Sequence, residues 1–269
     1  MPPRGAGVDS LKACVSSPGG LVNAINVPEC EDGVRMSALA ACGHLIAAGA
    51  EPILHLLTRD MNRIALQAAL LGAASMGVRS VLCTTGRHQA LTSSRSARGV
   101  FDVDPIQLLR IADDMRKKAE LADGQSIDGG VDFLLGTDTN PFCDPVELQV
   151  MTVEKAVAAG ADFVITQPVF KLDKFNEWMQ LIRDKGLHER TCIIASIMSL
   201  ASAREAANAG SSRFELDDQL SDTITDIDYA SSTAKALKST EGVRGICIMA
   251  GVDHGFARNV LAASGIAGS

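Results

Sequence analysis

One pattern of punctuation recurs along this chain and limits what it can fold into. An alanine-rich helical stretch ends in glycine, and an apolar run of strand length follows within a few residues. It occurs at Ala47-Ala48-Gly49-Ala50 before Pro52–Leu57, and at Ala73-Ala74-Ser75-Met76-Gly77 before Val81–Thr84. It returns at Ala158-Ala159-Gly160-Ala161 before Phe163–Thr166, with weaker copies ending at Gly186 and Gly242. A glycine just past a helix takes the left-handed C-cap at no steric cost. The charge-poor run after it suits a strand covered on both faces. Repeated helix–Gly–strand units predict parallel strands joined by crossover helices. Such sheets place their chemistry at the C-terminal ends of the strands.

Length agrees with that reading. A (β/α)8 barrel needs about 250 residues, and this chain has 269. The expectation is an α/β fold, a single TIM-barrel domain over residues 1–269. Hydrophobic residues make up 46% but aromatics only 4%, so aliphatic side chains and alanine must do the packing. The formal charge of −7 argues against nucleic acid, which calls for clustered Lys and Arg. Seven scattered cysteines form no CxxC pair, which argues against a zinc site or a redox pair. Cys83, Cys192 and Cys247 fall on strands, where reduced, buried thiols are expected, as in a cytoplasmic protein. Neither a signal peptide nor an apolar run of about 18 residues occurs, so no membrane partner is expected.

The pattern predicts helices at Val8–Ser17, Met36–Ala48, Arg63–Met76, Pro105–Leu121, Pro145–Ala158, Lys174–Lys185, Ala201–Ala209, Ser221–Ser239 and Phe256–Ser264. Proline at the start of the fourth costs nothing, because its missing N–H would be unpaired there anyway. Strands are predicted at Leu21–Val27, Ile53–Thr58, Val81–Thr84, Phe133–Thr137, Phe163–Thr166, Cys192–Ile197 and Ile246–Ala250. His88–Gly99 is polar and reads as a mobile loop, and Asp123–Gly130 as a turn. That is seven strands. The eighth would precede Met1, which predicts a barrel truncated at, or lacking, its first strand.

Strand ends supply the candidate site residues. His55 precedes Thr58-Arg59-Asp60; it is either a core histidine or a ligand contact. Thr84-Thr85-Gly86-Arg87-His88 runs from a strand into small residues, then a glycine permitting close backbone approach, then a cation and an imidazole. That suits a phosphate or another anionic group, or a plain turn with a solvated Arg87. Gln167 offers an amide donor and acceptor at a strand end, as a heterocycle edge would require, or as a structural amide would use on backbone. Thr137–Pro141 is polar and loop-like. Asp102 and Asp104 could be helix caps and no more, and His254 reads as a loop residue. No GxGxxG, P-loop, HExxH or nucleophile elbow is present. The residues alone reach a barrel enzyme or a barrel binding protein for a small anionic ligand.

Taken together, these segments resemble the methylenetetrahydrofolate reductase family over nearly the whole chain. Pro2-Pro3-Arg4-Gly5 resembles the loop after that family's first strand, and Asn26-Val27-Pro28 with Arg35-Met36-Ser37 its second βα segment. His55-Leu56-Leu57-Thr58-Arg59-Asp60-Met61-Asn62-Arg63 is similar to its HLTCRDRNR-like signature. Val100-Phe101-Asp102-Val103-Asp104 continues the likeness, and the run from Ala159 to Phe170, which includes Thr166-Gln167-Pro168-Val169-Phe170, is its most specific stretch. The resemblance implies a flavin-binding (β/α)8 barrel that reduces 5,10-methylene- to 5-methyltetrahydrofolate. It puts Asn26, His55, Thr85, Gly86, Phe101, Asp102 and Thr137 where family members line FAD or FMN. It puts Gln167 at the pterin of the folate substrate, makes Phe170 and Arg87 further substrate contacts, and assigns a catalytic position to Arg87 and Gln167.

Three departures fall at that site. The family's first strand carries a glutamate that protonates the substrate nitrogen, and that strand is not found here. Its Gly-Asp strand end is Gly86-Arg87 here, and the lysine it places near the flavin phosphate matches Ala156. Three readings therefore stand open. One is a reductase completed by a partner subunit or by water. Another is a tetrahydrofolate-dependent methyltransferase component working with a corrinoid protein and without flavin. The last is a non-catalytic paralogue. A homo-oligomer is expected.

Overall fold

A computed structural model of the chain describes residues 1–16, 20–30, 33–208, 225–250 and 254–266. Its contacts divide it into two compact units. The first comprises Met1–Ser16, Asn23–Thr137 and Ala158–Asp162. The second comprises Ser17–Val22, Asp138–Val157 and Phe163–Ser269.

The first unit begins with α1 (Asp9–Ser16) and then alternates: β1 (Ile25–Val27), α2 (Ala38–Ala47), β2 (Pro52–Leu57), α3 (Arg63–Ser75), β3 (Ser80–Thr84) and α4 (Pro105–Lys118). β4 (Leu134–Thr139) starts in this unit. Its strands lie parallel in chain order, with Val27 opposite Leu54, Leu56 opposite Cys83 and Cys83 opposite Thr137. The core is aliphatic, as the low aromatic content required. Leu54, Leu56, Leu66, Leu70, Val81, Leu108 and Leu109 are buried, with Phe133 as the one large ring.

The second unit holds α5 (Val146–Ala158), β5 (Phe163–Pro168), α6 (Leu172–Asp184), the short α7 (Leu187–Arg190), β6 (Cys192–Met198), α8 (Leu200–Asn208), α9 (Asp226–Lys238), β7 (Val243–Met249) and α10 (His254–Ser264). β5, β6 and β7 are parallel and in chain order. Phe175, Trp178, Met179 and Ile182 of α6 pack with Val164, Ile193, Ala195 and Ile197 of the strands. The fold class is α/β with seven parallel strands, the (β/α)8 barrel type short of one strand among the described residues.

All five punctuating glycines have positive φ: Gly49, Gly77, Gly160, Gly186 and Gly242. Gly160 shows why the residue is needed. At φ +107° a Cβ there would sit 2.5 Å from Cγ of the buried Asp113.

Some boundaries differ from expectation for identifiable reasons. β1 covers only Ile25–Val27, not Leu21–Val27, because its partner β2 begins at Pro52 and Ile25 N–H already reaches back to the Glu51 carbonyl. Residues before Ile25 have no strand to ladder with, and Leu21 is exposed. The segment 88–99 contains a single 3₁₀ turn, Gln89–Leu91, with His88 as its cap. The thiol expectation needs one correction. Cys83 is buried and Cys247 half-buried, but Cys192, the first residue of its strand, is exposed. His254 opens α10 rather than lying in a loop. Ala209 and residues 221–224, expected in helices, lie outside the described residues.

Candidate functional site

In the first unit the C-terminal ends of β1, β2 and β3 are tied together by side chains from their own exits. Asn26 lies in β1 and His55 in β2, both half-buried. His55 Nε2 is 3.0 Å from Asn26 Oδ1. The carbonyl oxygen can only accept, so Nε2 carries the proton and Nδ1 is the acceptor. Burial pushes the imidazole down to about 4, so it is neutral at physiological pH.

Arg59, 3% exposed, follows the β2 exit. Its Nε and Nη2 donate to the two oxygens of Asp60 at 2.8 and 2.7 Å. Nη1 donates to the Arg87 carbonyl at 2.6 Å and Nη2 to the Cys30 carbonyl at 2.8 Å. The Arg59 carbonyl accepts from Val100 N–H at 2.7 Å. One residue therefore links the exits of β1, β2 and β3 with the segment before α4. Sequence reasoning passed it over as one letter of a signature. The available signal was an apolar strand ending in a cation beside an acid.

The remaining expected residues of this unit divide by what holds them. Thr85 is exposed, and Gly86 and Arg87 are half-buried. Gly86 has φ +78°, and a Cβ there would meet Leu57 Cδ2 at 3.0 Å. Thr137 is buried and donates its hydroxyl to the Cys83 carbonyl at 2.8 Å, a cross-strand role. Asp102 accepts from Arg63 N–H and from both Arg63 Nε and Nη2, which holds its carboxyl below the usual range. It thus fixes the first residue of α3. Asp104 caps α4 in a reciprocal capping box with Gln107. The capping expectation describes Asp104 alone: the N-cap of α3 is Asn62, and Asp102 instead pairs with Arg63, the first residue of that helix. Phe101 is exposed, stacks on His88 at 6.3 Å between centroids, and takes φ +46°. A bulky residue in that region is strained by about 1–3 kcal/mol, and such strain clusters at functional segments.

In the second unit Gln167 lies near the end of β5 and is half-buried between Thr166 and Pro168, both buried. No hydrogen bond to its side-chain amide occurs among the described residues, whereas its carbonyl accepts from Thr166 Oγ1 at 2.9 Å. Phe170 is 4% exposed, stacks on Tyr229 at 6.2 Å and packs with Leu200 and Ala203. Its ring is part of a small apolar cluster. Among the described residues no group of three or more His, Cys, Asp or Glu is placed to hold a metal. No described helix is long and apolar enough to cross a membrane.

Residues 25–251 match the sequence model of the family described as methylenetetrahydrofolate reductase. The chain belongs to that family. Among solved structures it is similar to an uncharacterized protein from Clostridium thermocellum that binds two copies of 5-methyl-5,6,7,8-tetrahydrofolic acid. The identity is 10% and the TM-score 0.66, over 97% of this chain and 92% of that one. It is also similar to a 2,3-dimethylmalate lyase of the PEP mutase/isocitrate lyase superfamily. There the identity is 14% and the TM-score 0.51, over 94% and 73% of the two chains. At these identities both likenesses concern the fold. The comparison with curated proteins gives no match.

The family implies a flavin, and the polar groups present do not fit one well. Thr137 Oγ1 and the Asp102 carboxylate are committed to Cys83 and Arg63. The Asn26 carbonyl is committed to His55. Ala156, at the position matched to the family's lysine, is fully buried and carries no charge. Of the seven positions that the resemblance places at the flavin, the side chains of Asn26, His55, Asp102 and Thr137 are hydrogen-bonded within the protein, and Phe101 and Gly86 carry no polar side chain.

Proposed function

We propose that this chain binds a tetrahydrofolate one-carbon derivative, of the 5,10-methylene and 5-methyl pair that its family interconverts. The observation that carries the proposal is Gln167. Its amide is half-buried at a strand end, flanked by buried neighbours, without a protein partner among the described residues. An amide at a strand end with its donor and acceptor uncommitted is open to a ligand that offers it an acceptor and a donor. The amino-oxo edge of a pterin offers both. The Clostridium thermocellum protein of similar fold binds 5-methyltetrahydrofolate, which supports the same ligand class.

The chemistry of the proposal is the family's reduction at the one-carbon unit, with the two electrons supplied by a cofactor or partner. What this chain contributes is binding and orientation. His55 is neutral and hydrogen-bonded. Asp60 and Asp102 are each ion-paired with an arginine. None of these three is poised as a general acid, and in this reading water or a partner subunit supplies the proton for the substrate nitrogen. Arg87 favours a second reading. A guanidinium, where the resemblance leads one to expect a carboxylate, opposes an iminium cation and suits an electron-rich or anionic partner. A methyl-transfer component working with a corrinoid protein fits that polarity.

Titration calorimetry with 5-methyltetrahydrofolate tests the proposal. Wild type is expected to bind, and Gln167→Leu to bind about tenfold or more weakly, the equivalent of one lost buried polar contact. Absence of binding by wild type overturns the folate reading. Equal affinity in the variant removes Gln167 from it.

A further inference from the structure

We infer that Arg59 is a positioning residue of this site: without meeting the ligand, its guanidinium fixes the direction in which the chain leaves Gly86 and so places Arg87. The inference rests on the folate reading above and on the substrate contact that the resemblance implies for Arg87.

Gly86 is the one residue of the β3 exit with φ in the left-handed region, and glycine is the residue least constrained by its own sterics. A chain passing through such a residue leaves in a defined direction only if the peptides on either side are held. Both are held by Arg59. Upstream, the Thr85 carbonyl accepts from Arg59 N–H at 3.3 Å, next to the Thr84 carbonyl, which accepts from Thr58 N–H at 3.0 Å. Downstream, the Arg87 carbonyl accepts from Arg59 Nη1 at 2.6 Å. The side chain that makes this bond is itself immobilised. Its fork is closed on Asp60, its Nη2 also reaches the Cys30 carbonyl, and it is 3% exposed.

The guanidinium is needed for this geometry. It presents five donors in a rigid plane, whereas an ammonium is a single point with three rotatable donors. Lysine at position 59 can keep the charge opposite Asp60 but cannot hold Asp60, Cys30 and Arg87 at once. Substrate-positioning groups act in this way, because small displacements of a contact carry large losses.

The test is a double-mutant cycle on 5-methyltetrahydrofolate affinity, with wild type, Arg59→Lys, Arg87→Ala and the double variant. Arg59→Lys is expected to weaken binding about tenfold in the wild-type background and less than about twofold in the Arg87→Ala background. A residue that merely supports folding would cost the same in both backgrounds, and that result overturns the inference. Wild-type affinity in Arg59→Lys, or in Arg87→Ala, overturns it as well. If Arg59→Lys does not unfold cooperatively, the same cycle is run with Asp60→Asn, which loosens the guanidinium from a partly exposed partner. About threefold loss that vanishes beside Arg87→Ala is then expected, and additivity overturns the inference. A wild type that does not bind folate refutes the folate reading and removes the basis of this one. A wild type that binds while the cycle is additive refutes the positioning role alone.

Discussion

Protonating His55 should cost this protein a measurable part of its stability. Its imidazole is pushed from its ordinary 6.5 down to about 4 by desolvation, while Nε2–H is held by Asn26. In the unfolded chain the ring titrates near 6.5. The unfolded state therefore binds more protons than the folded state between those two values, and stability falls as pH falls through that window. Above about 6.5 both states are neutral at this site and its full contribution is present; below about 4 both are protonated and the loss is complete. A separation of about 2.5 pH units at 1.36 kcal/mol each gives a loss of about 3 kcal/mol, an upper figure for a half-buried ring. Many carboxylates also titrate in acid, so the measurement is a difference. Wild type and His55→Gln, whose amide can still donate to Asn26, are unfolded in urea at pH 7.5, 6.5, 5.5 and 4.5, followed by far-UV circular dichroism. Whatever the offset at pH 7.5, the wild type should lose about 2–3 kcal/mol relative to the variant by pH 4.5. Profiles that stay parallel to within about 0.5 kcal/mol would show that His55 is not held neutral by burial, and the reasoning would fail.

Three further outcomes are expected. The isolated chain should bind flavin weakly or not at all, because the groups aligned with flavin contacts are committed elsewhere; stoichiometric flavin absorbance surviving gel filtration would contradict this. With added flavin and a reduced dye, Arg87→Asp should raise turnover of methylenetetrahydrofolate roughly tenfold, since it replaces a cation opposing the iminium by an anion favouring it; ordinary enzymatic rates in wild type without a partner, and no gain in the variant, would contradict it. Gly160→Ala should lower stability by about 2–4 kcal/mol, because its φ of +107° and the 2.5 Å approach to Asp113 leave no room for a Cβ; an unchanged urea midpoint would contradict it.

The repeating architecture was legible because its cause is local. Glycine at a C-cap and a charge-poor run after it are read from neighbouring residues, and each of the five glycines has the backbone angle that made it informative. Strand length was less legible where it depends on a partner. Leu21–Ala24 is as apolar as a strand, yet β2 does not extend far enough to pair with it. Cys192 shows the same limit for burial, since a strand's first residue can lie outside the packed layer. Within the site, residue type suggested polar chemistry at Thr137, Asp102 and Asp104, but not its direction. Which carbonyl a threonine donates to, or which arginine an aspartate pairs with, is decided by elements distant in sequence: Thr137 answers to Cys83, and Asp102 to Arg63. Arg59 was legible only as a cation beside Asp60, and its further reach was hidden for the same reason. Its other acceptors lie at residues 30 and 87, and no local pattern joins them.

The charges at these strand exits can be set against one another pair by pair. Arg59 is closed on Asp60 and Arg63 on Asp102, so each pair contributes little net charge. His55 is neutral. The side chain at position 87 adds its own charge to the field that a ligand meets at the end of β3. A carboxylate there would favour a cation developing on the ligand; the guanidinium reverses that preference by two unit charges. In a half-buried setting, at an effective dielectric constant of about 20 and a separation of about 4 Å, one unit charge is worth roughly 4 kcal/mol before screening and desolvation reduce it. Even a quarter of that, applied twice, amounts to an order of magnitude or more in rate or affinity. On the folate reading proposed above, the same fold would serve hydride transfer to a cationic centre or the handling of an electron-rich partner. The choice between them then follows from the side chain at position 87 and from how firmly Arg59 holds it in place.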